Sequence, residues 1–185
     1  MNIAAVTLLL SSSPKPYESS IITLDELLSS VSFPSPLDFS VVKRILDNPQ
    51  ILHDFTWRKF EEFMATVFDE IGYAVTLGKG SKDGGRDILA ERDIPLGLGR
   101  ELTIVQCKKN REDRKVGEPV VTQLYGTVTG NDASRGLIVT TSDFTRNASR
   151  LLEMHKYRLD GKNRDDILTL LESIKQDPSQ LDKLP

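Results

Sequence analysis

Apolar side chains recur at helical spacing in one long stretch of the chain. From Trp57 to Ile71 they return every three or four residues, and Gly72 follows as a typical C-terminal stop. Thr56 suits the N-cap position, because its hydroxyl oxygen can accept a hydrogen bond from an N–H group of the first turn. The pattern predicts a helix over residues 57–71.

An alternation of apolar and polar residues begins directly after this helix. Residues 73–77 alternate as a short strand, and the four glycines in residues 78–86 predict a loop. Residues 87–92 and 101–109 predict two further strands, joined by a turn that contains Pro95. Strands connected through so short a turn predict an antiparallel meander.

The second half of the chain mixes helical and strand patterns. Pro119 suits the first turn of a helix whose apolar stripe stops at a glycine. Residues 136–141 form a short apolar run that is typical of a buried, parallel strand. Residues 144–155 and 165–174 predict two helices, with a short strand at 157–159 between them. The order α, β, β, β, α, β, α, β, α predicts an α/β domain with a mixed central sheet flanked by helices.

The beginning of the chain has a different composition. Nine serines and four prolines make up half of residues 11–36, which favours turns and extended chain over a packed core. Apolar clusters at 24–31 and 39–46 can each form about two helical turns and could dock on the core or on another chain. The predicted divisions are an arm over residues 1–50, a globular domain over 51–176 and a flexible tail over 177–185.

Overall composition narrows the class of protein. The chain has 185 residues and a formal net charge of −3, which fits one globular unit with a modest appendage. Its longest apolar run, residues 3–10, is far short of the roughly 20 residues that a membrane span needs. The first basic residue, Lys15, lies behind this run, whereas a signal peptide has its basic residues ahead of it. Cys107 is the single cysteine and excludes an internal disulfide, so we predict a cytoplasmic protein with no membrane partner.

Basic residues are concentrated in the middle of the chain. Residues 79–164 carry seventeen basic and twelve acidic side chains, although the chain as a whole is acidic. Five basic residues crowd into eight positions: Lys108, Lys109, Arg111, Arg114 and Lys115. This cluster is either a solvated strand end and loop or an edge that contacts phosphate groups.

Three polar features interrupt the apolar patterns, and the first is Glu61. On a helical wheel that starts at Trp57, Glu61 borders the apolar stripe, whereas Glu62 points to solvent. A glutamate at the edge of a stripe is either a surface residue with a buried stem or a functional acid. Glu61 therefore indicates a site only together with polar partners on other elements.

The other two features stand at the ends of predicted strands. Asp87 follows two glycines and opens an apolar strand, although aspartate is depleted in strands. Gln106 and Lys108 share one face at the polar end of the third strand. Hairpin pairing of the second and third strands could place Asp87 beside both, and each residue could also be a strand end that emerges into water.

Together these side chains suit a divalent cation that takes oxygen ligands. Mg²⁺ accepts carboxylate and carbonyl oxygens and keeps several waters, so two carboxylates, an amide oxygen and a main-chain carbonyl would suffice. A lysine two residues beyond the amide can hold or deprotonate an attacking water and offset charge on a phosphate. The combination predicts metal-dependent hydrolysis.

Several short motifs then occur in order between residues 54 and 174. They are Phe60-Glu61, Ile71-Gly72-Tyr73, Asp83-Gly-Gly-Arg-Asp87, Val105-Gln-Cys-Lys108, Lys115-Val-Gly117 and Gly136-Leu-Ile-Val-Thr-Thr141 followed by Phe144-Thr. In this order they resemble the Mrr-type restriction endonuclease catalytic domain, a branch of the PD-(D/E)xK nuclease superfamily. The resemblance implies a restriction-endonuclease-like αβββαβ core, which agrees with the order of elements above.

The resemblance also implies roles for the site residues. Asp87, Gln106 and Lys108 would form the core triad, and Glu61 would be the helical acid. Mg²⁺, with Mn²⁺ as a substitute, would bind Asp87, Glu61, Gln106 and the main-chain carbonyl of Cys107. Gln106 stands where the broader superfamily has an acidic residue, a substitution that Mrr-like members share.

The implied activity is hydrolysis of DNA phosphodiester bonds by an endonuclease in defence against foreign DNA. The residues expected to contact DNA are Lys82, Arg86, Lys109, Arg111, Arg114 and Lys115. A double-strand break needs two sites, which implies a homodimer or a subunit of a larger defence complex. Two alternatives stay open: a nuclease selective for Holliday junctions or other branched structures, and a catalytically weak or inactive module that binds DNA or assembles with a partner.

Overall fold

The computed structural model describes residues 36–80 and 85–176. The helices are α1 (Phe39–Asp47), α2 (Ile51–Asp54), α3 (Trp57–Glu70), α4 (Glu118–Gly130), α5 (Arg146–Met154) and α6 (Arg164–Gln176). The strands are β1 (Ala74–Leu77), β2 (Ile88–Asp93), β3 (Arg100–Lys108), β4 (Arg135–Thr140) and β5 (Leu159–Lys162). The predicted apolar cluster at 24–31, Lys82 and the predicted tail at 177–185 lie outside the described residues. No helix in the described ranges has the length and apolar character needed to cross a membrane.

Five strands form one mixed sheet in the order β1-β2-β3-β4-β5. Strands β1, β2 and β3 pair antiparallel, as the predicted meander requires, and β3, β4 and β5 pair parallel. Helices α4 and α5 connect the parallel strands. The prediction of an α/β fold with a mixed sheet and flanking helices is confirmed.

Helix α3 starts and stops at its sequence signals. Thr56 Oγ1 accepts a hydrogen bond from the N–H of Lys59 at 3.2 Å. After Glu70 the chain turns through Gly72, whose φ of +89° is a conformation that favours glycine. The N–H of Tyr73 then donates to the carbonyl of Phe68 at 3.0 Å. This turn leads the chain directly from α3 into β1.

Each face of the sheet buries its own apolar cluster. On one face α3 and α6 pack on the sheet and α1 packs on α6. Phe60 lies in the same cluster as Val105 and Cys107. On the other face α4 and α5 pack on the sheet, and Leu124 lies in the same cluster as Ile138. Because side chains alternate along a strand, Leu102 and Ile104 of β3 face the second cluster.

Helix α1 belongs to the first of these clusters. It buries Val41, Val42 and Ile45 in that core and packs on α6. For the apolar cluster at 39–46 the sequence left two alternatives, and docking on the core is the one observed. The predicted boundary at residue 50 falls between α1 and α2, and α1 shares the core of the elements that follow it.

Two elements start two residues later than predicted. β5 begins at Leu159 and not at residue 157, because residues 155–158 form a turn in which the N–H of Arg158 donates to the carbonyl of His155 at 2.7 Å. α5 begins at Arg146 and not at residue 144, because the Thr145 hydroxyl caps the helix and accepts from the N–H of Ala148 at 3.3 Å.

Candidate active site

Asp87 is held at the point where β2 begins, next to the end of β3. Its N–H donates to the carbonyl of Val105 at 3.1 Å. Its carboxylate Oδ2 accepts a hydrogen bond from the N–H of Cys107 at 2.7 Å. The residue is only 7% exposed. Main-chain bonds therefore fix a buried carboxylate beside the third strand.

Gln106 lies next to the end of the β2–β3 pairing. The last pair is Ile88 with Val105, and Asp87 and Gln106 are the residues that adjoin this pair along the two chain segments. Gln106 is 2% exposed, and its Oε1 has no hydrogen-bond partner among the described residues. A buried acceptor without a partner costs free energy, so this oxygen is suited to ligate a cation.

Gly85 packs directly against the amide of Gln106. Its φ is +80°, and a Cβ at this position would collide with Gln106 Nε2. The glycine loop before β2 therefore comes close enough to hold this amide in place.

Lys108 follows Gln106 on the same face, at the end of β3. Its Nζ lies 5.2 Å from the centroid of the Trp57 ring, at the start of α3. An ammonium group at this distance is attracted to the face of an indole ring. Trp57 remains 44% exposed, so the pair lies at the protein surface where the end of β3 meets the first turn of α3.

Glu61 approaches the site from α3. Its side chain is 2% exposed, against 22% for Glu62, which is the order that the helical wheel predicts. Its Oε2 accepts a hydrogen bond from Arg58 Nη1 at 3.0 Å. Glu61 shares the first turns of α3 with Trp57, which contacts Lys108, so the helix brings this acid towards the end of β3.

Burial and the charged groups around Cys107 shift the pKa of its thiol. Burial raises the pKa of this thiol well above its usual value, the negative charges of Asp87 and Glu61 raise it further, and Lys108 opposes them. The charges of both carboxylates and of the ammonium group therefore act on this thiol. A buried thiol with a raised pKa stays protonated and is a poor nucleophile.

The main chain of Cys107 has the orientation that a ligand role needs. Its N–H faces Asp87, and the N–H and C=O of one strand residue point to the same side. Its carbonyl therefore also faces the beginning of β2. Asp87, Gln106 and the Cys107 main chain are brought together by the β2–β3 pairing, and Glu61 and Lys108 border them.

Four of the predicted DNA-contacting residues follow β3, in the segment that leads to α4: Lys109, Arg111, Arg114 and Lys115. Arg111 and Arg114 are exposed, and Arg111 Nε lies 3.7 Å from Asp113 Oδ1. Lys115 Nζ contacts Asp143 Oδ2 at 2.8 Å, and this hydrogen bond lowers the pKa of that carboxyl group. A basic edge therefore continues from the strand end that carries Lys108.

Arg86, at the end of the glycine loop, contacts a different element. Its Nη1 donates to Asn131 Oδ1 at 3.0 Å, next to the end of α4. Lys82 belongs to residues that the structure does not describe, so its contact with DNA stays a prediction.

Two residues at this site were not singled out by the sequence reasoning. Hydropathy assigns Trp57 to the buried stripe, and nothing in the pattern marks its exposure or its contact with Lys108. Arg58 stands three residues before Glu61, a spacing at which side chains of a helix meet. That spacing is a signal by which Arg58 could have been found.

A cavity of about 350 Å³ lies elsewhere, between α3 and α6. Its walls are mostly apolar, as at Phe68 and Leu170, and it reaches the beginnings of β3 and β4 at Glu101 and Arg135. It includes none of the site residues described above.

Comparison with known proteins identifies the family. The restriction endonuclease family defined by the Mrr catalytic domain matches residues 52–171, which include every site residue described above. The chain belongs to the Mrr-type restriction endonuclease family. The Mrr-type domain therefore carries the PD-(D/E)xK nuclease fold that the motifs resemble.

Two curated relatives are similar in sequence to this chain. The uncharacterised protein y4cE of Sinorhizobium fredii is 31% identical over 138 residues, 74% of this chain and 35% of that protein. The type IV methyl-directed restriction enzyme EcoKMrr of Escherichia coli strain K12 is 32% identical over 114 residues, 59% of this chain and 35% of the enzyme. The chain thus spans about a third of the length of these relatives.

A solved structure shows the same fold. The MspJI restriction endonuclease in complex with a 27-mer oligonucleotide has a TM-score of 0.55 and 21% sequence identity, over 80% of this chain and 35% of that one. The Mrr-type domain and MspJI therefore share the restriction-endonuclease architecture.

Proposed function

We propose that this Mrr-type domain is a divalent-metal-dependent endonuclease that hydrolyses DNA phosphodiester bonds in defence against foreign DNA. The observation that supports this most is the arrangement of Asp87, Gln106 and Lys108 on adjacent strand ends. In that arrangement Gln106 Oε1 is buried and lacks a hydrogen-bond partner within the described ranges. Family membership supports an endonuclease, and the metal, the DNA substrate and the defence role are parts of the proposal.

The residues present fit a divalent cation. Asp87, Glu61, Gln106 Oε1 and the Cys107 carbonyl offer oxygen atoms, which Mg²⁺ prefers and Mn²⁺ also accepts. No three His, Cys, Asp or Glu side chains cluster as a metal site in residues 36–80 and 85–176, so the amide and the main chain would complete the set. A cation held there would neutralise phosphate charge and lower the pKa of a bound water.

The chain's own residues supply orientation and charge. The Asp87 carboxylate is fixed by a main-chain N–H before any substrate arrives, and such preorganisation avoids a reorganisation cost during the reaction. The ammonium of Lys108 would hold the attacking water and offset the negative charge that develops on the phosphate. The Trp57 ring limits the positions of that ammonium.

DNA as the substrate is supported by the structural neighbour MspJI, which is in complex with an oligonucleotide. It is also supported by the exposed basic segment that follows Lys108. A double-strand break would need two sites on antiparallel strands, so the proposal includes a homodimer or a place in a larger defence complex.

Charge reversal in the basic segment tests contact with phosphate groups. In Arg111→Glu and Arg114→Glu we expect weaker binding to every DNA sequence alike, because phosphate contacts carry no sequence information. The slope of log affinity against log salt should fall by about one for each lost contact. Fluorescence anisotropy of labelled duplexes at several salt concentrations measures both, and Arg100→Glu, at the opposite end of β3, is the matched control. A changed sequence preference would show instead that these arginines read bases.

Gly85→Ala tests the contact that holds Gln106. We expect plasmid nicking to fall about tenfold or more, because the new methyl group must displace the amide and misplacing a catalytic group by about 1 Å can cost 10²-fold. Gly72→Ala is the matched control, since Gly72 has a similar φ of +89° but a Cβ there meets nothing within 4 Å among the described residues. Both variants should lose some thermal stability. A wild-type nicking rate in Gly85→Ala would show that activity does not need the contact between Gly85 and Gln106.

Nicking of supercoiled plasmid tests the proposed function. Wild-type protein should convert the plasmid to open-circular or linear DNA with Mg²⁺ or Mn²⁺, and EDTA should stop the reaction. Faster incision of branched DNA than of linear DNA would favour the structure-selective alternative. DNA binding without incision under any metal would favour the inactive module and overturn the proposal.

A further inference from the structure

A single arginine in the first turn of α3 joins the helix to the glycine loop. Arg58 Nη1 donates to Glu61 Oε2 at 3.0 Å and to the carbonyl of Gly78 at 2.8 Å. Gly78 is the residue that follows β1 and begins the loop that leads to Asp87. A Cβ on Gly80 would lie 3.4 Å from the same Nη1, so the loop passes close to the guanidinium group.

The contacts of Arg58 continue to the second carboxylate. The N–H of Gly78 donates to the main-chain carbonyl of Asp87 at 2.8 Å, and Asp87 Oδ2 accepts from the N–H of Cys107 at 2.7 Å. A continuous set of hydrogen bonds therefore runs from Glu61 through Arg58, Gly78 and Asp87 to Cys107. It connects the two acids of the site, one on α3 and the other at the beginning of β2.

The ion pair between Arg58 and Glu61 differs from an ordinary surface ion pair, because the Glu61 side chain is buried. Exposed ion pairs contribute about 0 to 1 kcal/mol, but the Glu61 side chain is 2% exposed, and a buried carboxylate needs a hydrogen-bonded partner. A guanidinium group presents several N–H donors in a fixed plane, so it can bond a carboxylate and a carbonyl together, whereas a lysine ammonium is a single point charge. The contact of Arg58 Nε with Glu62 Oε1 is longer, at 3.5 Å.

We propose that Arg58 is a positioning residue that sets the Glu61 carboxylate and the Asp87 end of the glycine loop at a fixed separation for a divalent cation. This inference rests on the proposed function, because it assigns both acids to one cation site. Arg58 acts through Glu61 and Gly78 and touches neither the substrate nor the reacting atoms.

Calcium binding to the full-length protein tests this role without relying on cleavage. The rise in melting temperature with Ca²⁺ alone gives an apparent dissociation constant, and each variant's melting temperature in EDTA is its own baseline. In Arg58→Gln we expect Ca²⁺ to bind about 10- to 100-fold more weakly, the usual effect of losing a residue that orients a metal ligand. Arg58→Lys keeps the positive charge but not the planar set of donors, so its loss of affinity should be smaller than that of Arg58→Gln.

The next residue of the helix offers a matched control. Lys59 Nζ pairs with Glu62 at 3.0 Å with the same spacing of three residues, but Glu62 is not part of the site. Lys59→Gln should leave the affinity for Ca²⁺ unchanged. An equal loss in Lys59→Gln and Arg58→Gln would indicate a general charge effect and overturn the inference.

A double-mutant cycle separates positioning from a merely structural role. If Arg58 acts in part through Glu61, Arg58→Gln should weaken Ca²⁺ binding by a smaller factor in the Glu61→Gln background than in the wild type. Additive losses, or wild-type affinity in Arg58→Gln, would overturn the inference while wild-type nicking still supports the proposed function. A wild-type protein that neither responds to Ca²⁺, Mg²⁺ or Mn²⁺ nor cuts DNA would overturn both.

Discussion

Asp87→Asn is expected to reduce the rate of plasmid nicking about 10³-fold and to abolish the rise in melting temperature with divalent cations. The change removes one negative charge and leaves an amide of the same shape. A cation in an active site stabilises charge in the transition state by several kcal/mol, and about 1.4 kcal/mol corresponds to a tenfold change in rate. Loss of the buried carboxylate should therefore remove most of the activity.

The fold of this variant should survive. The carbonyl oxygen of Asn can still accept the hydrogen bond that Cys107 N–H now gives to Asp87 Oδ2, so this main-chain donor keeps its partner. The melting temperature in EDTA should stay close to that of the wild type. Asp93→Asn, at the other end of β2, is the control and changes an exposed carboxylate that pairs with Arg100 at 3.0 Å. If Asp87→Asn nicks within tenfold of the wild-type rate, Asp87 does not belong to the site.

The sequence alone predicts much of the scaffold of this site. Helix α3 was predictable because its apolar spacing, the Thr56 cap and the Gly72 stop agree with one another. The meander was predictable from alternation and a short turn, and its register brings Asp87 and Gln106 next to the same pair, Ile88 and Val105. These features depend on residues that are close together in the sequence, so the sequence alone is enough to predict them.

Other features depend on how distant segments meet. Whether the apolar cluster at 39–46 covers its own core or another chain is decided by α6, more than a hundred residues away in the sequence. The collision between a Cβ on Gly85 and the Gln106 amide depends on the path of the glycine loop. The lack of a partner for Gln106 Oε1 among the described residues depends on everything around that amide. Periodicity carries no information about such contacts.

Lys108→Met is expected to separate catalysis from metal binding. Methionine has a similar length and no charge, so the variant removes the ammonium while an unbranched chain still contacts Trp57. Removing one group that stabilises developing charge typically costs about 10²- to 10³-fold in kcat. We expect nicking to fall by that factor.

Metal binding should respond in the opposite direction from Asp87→Asn. Lys108 carries a positive charge beside oxygen ligands that would hold a cation, so its removal should preserve or strengthen the rise in melting temperature with Ca²⁺. Lys156→Met is the matched control, because Lys156 Nζ also lies over an aromatic ring, 6.0 Å from the Tyr157 centroid, in the turn before β5. Its nicking rate should equal that of the wild type. Full activity in Lys108→Met would exclude the ammonium from the reaction, and loss of the Ca²⁺ response would mean that Lys108 supports the metal site itself.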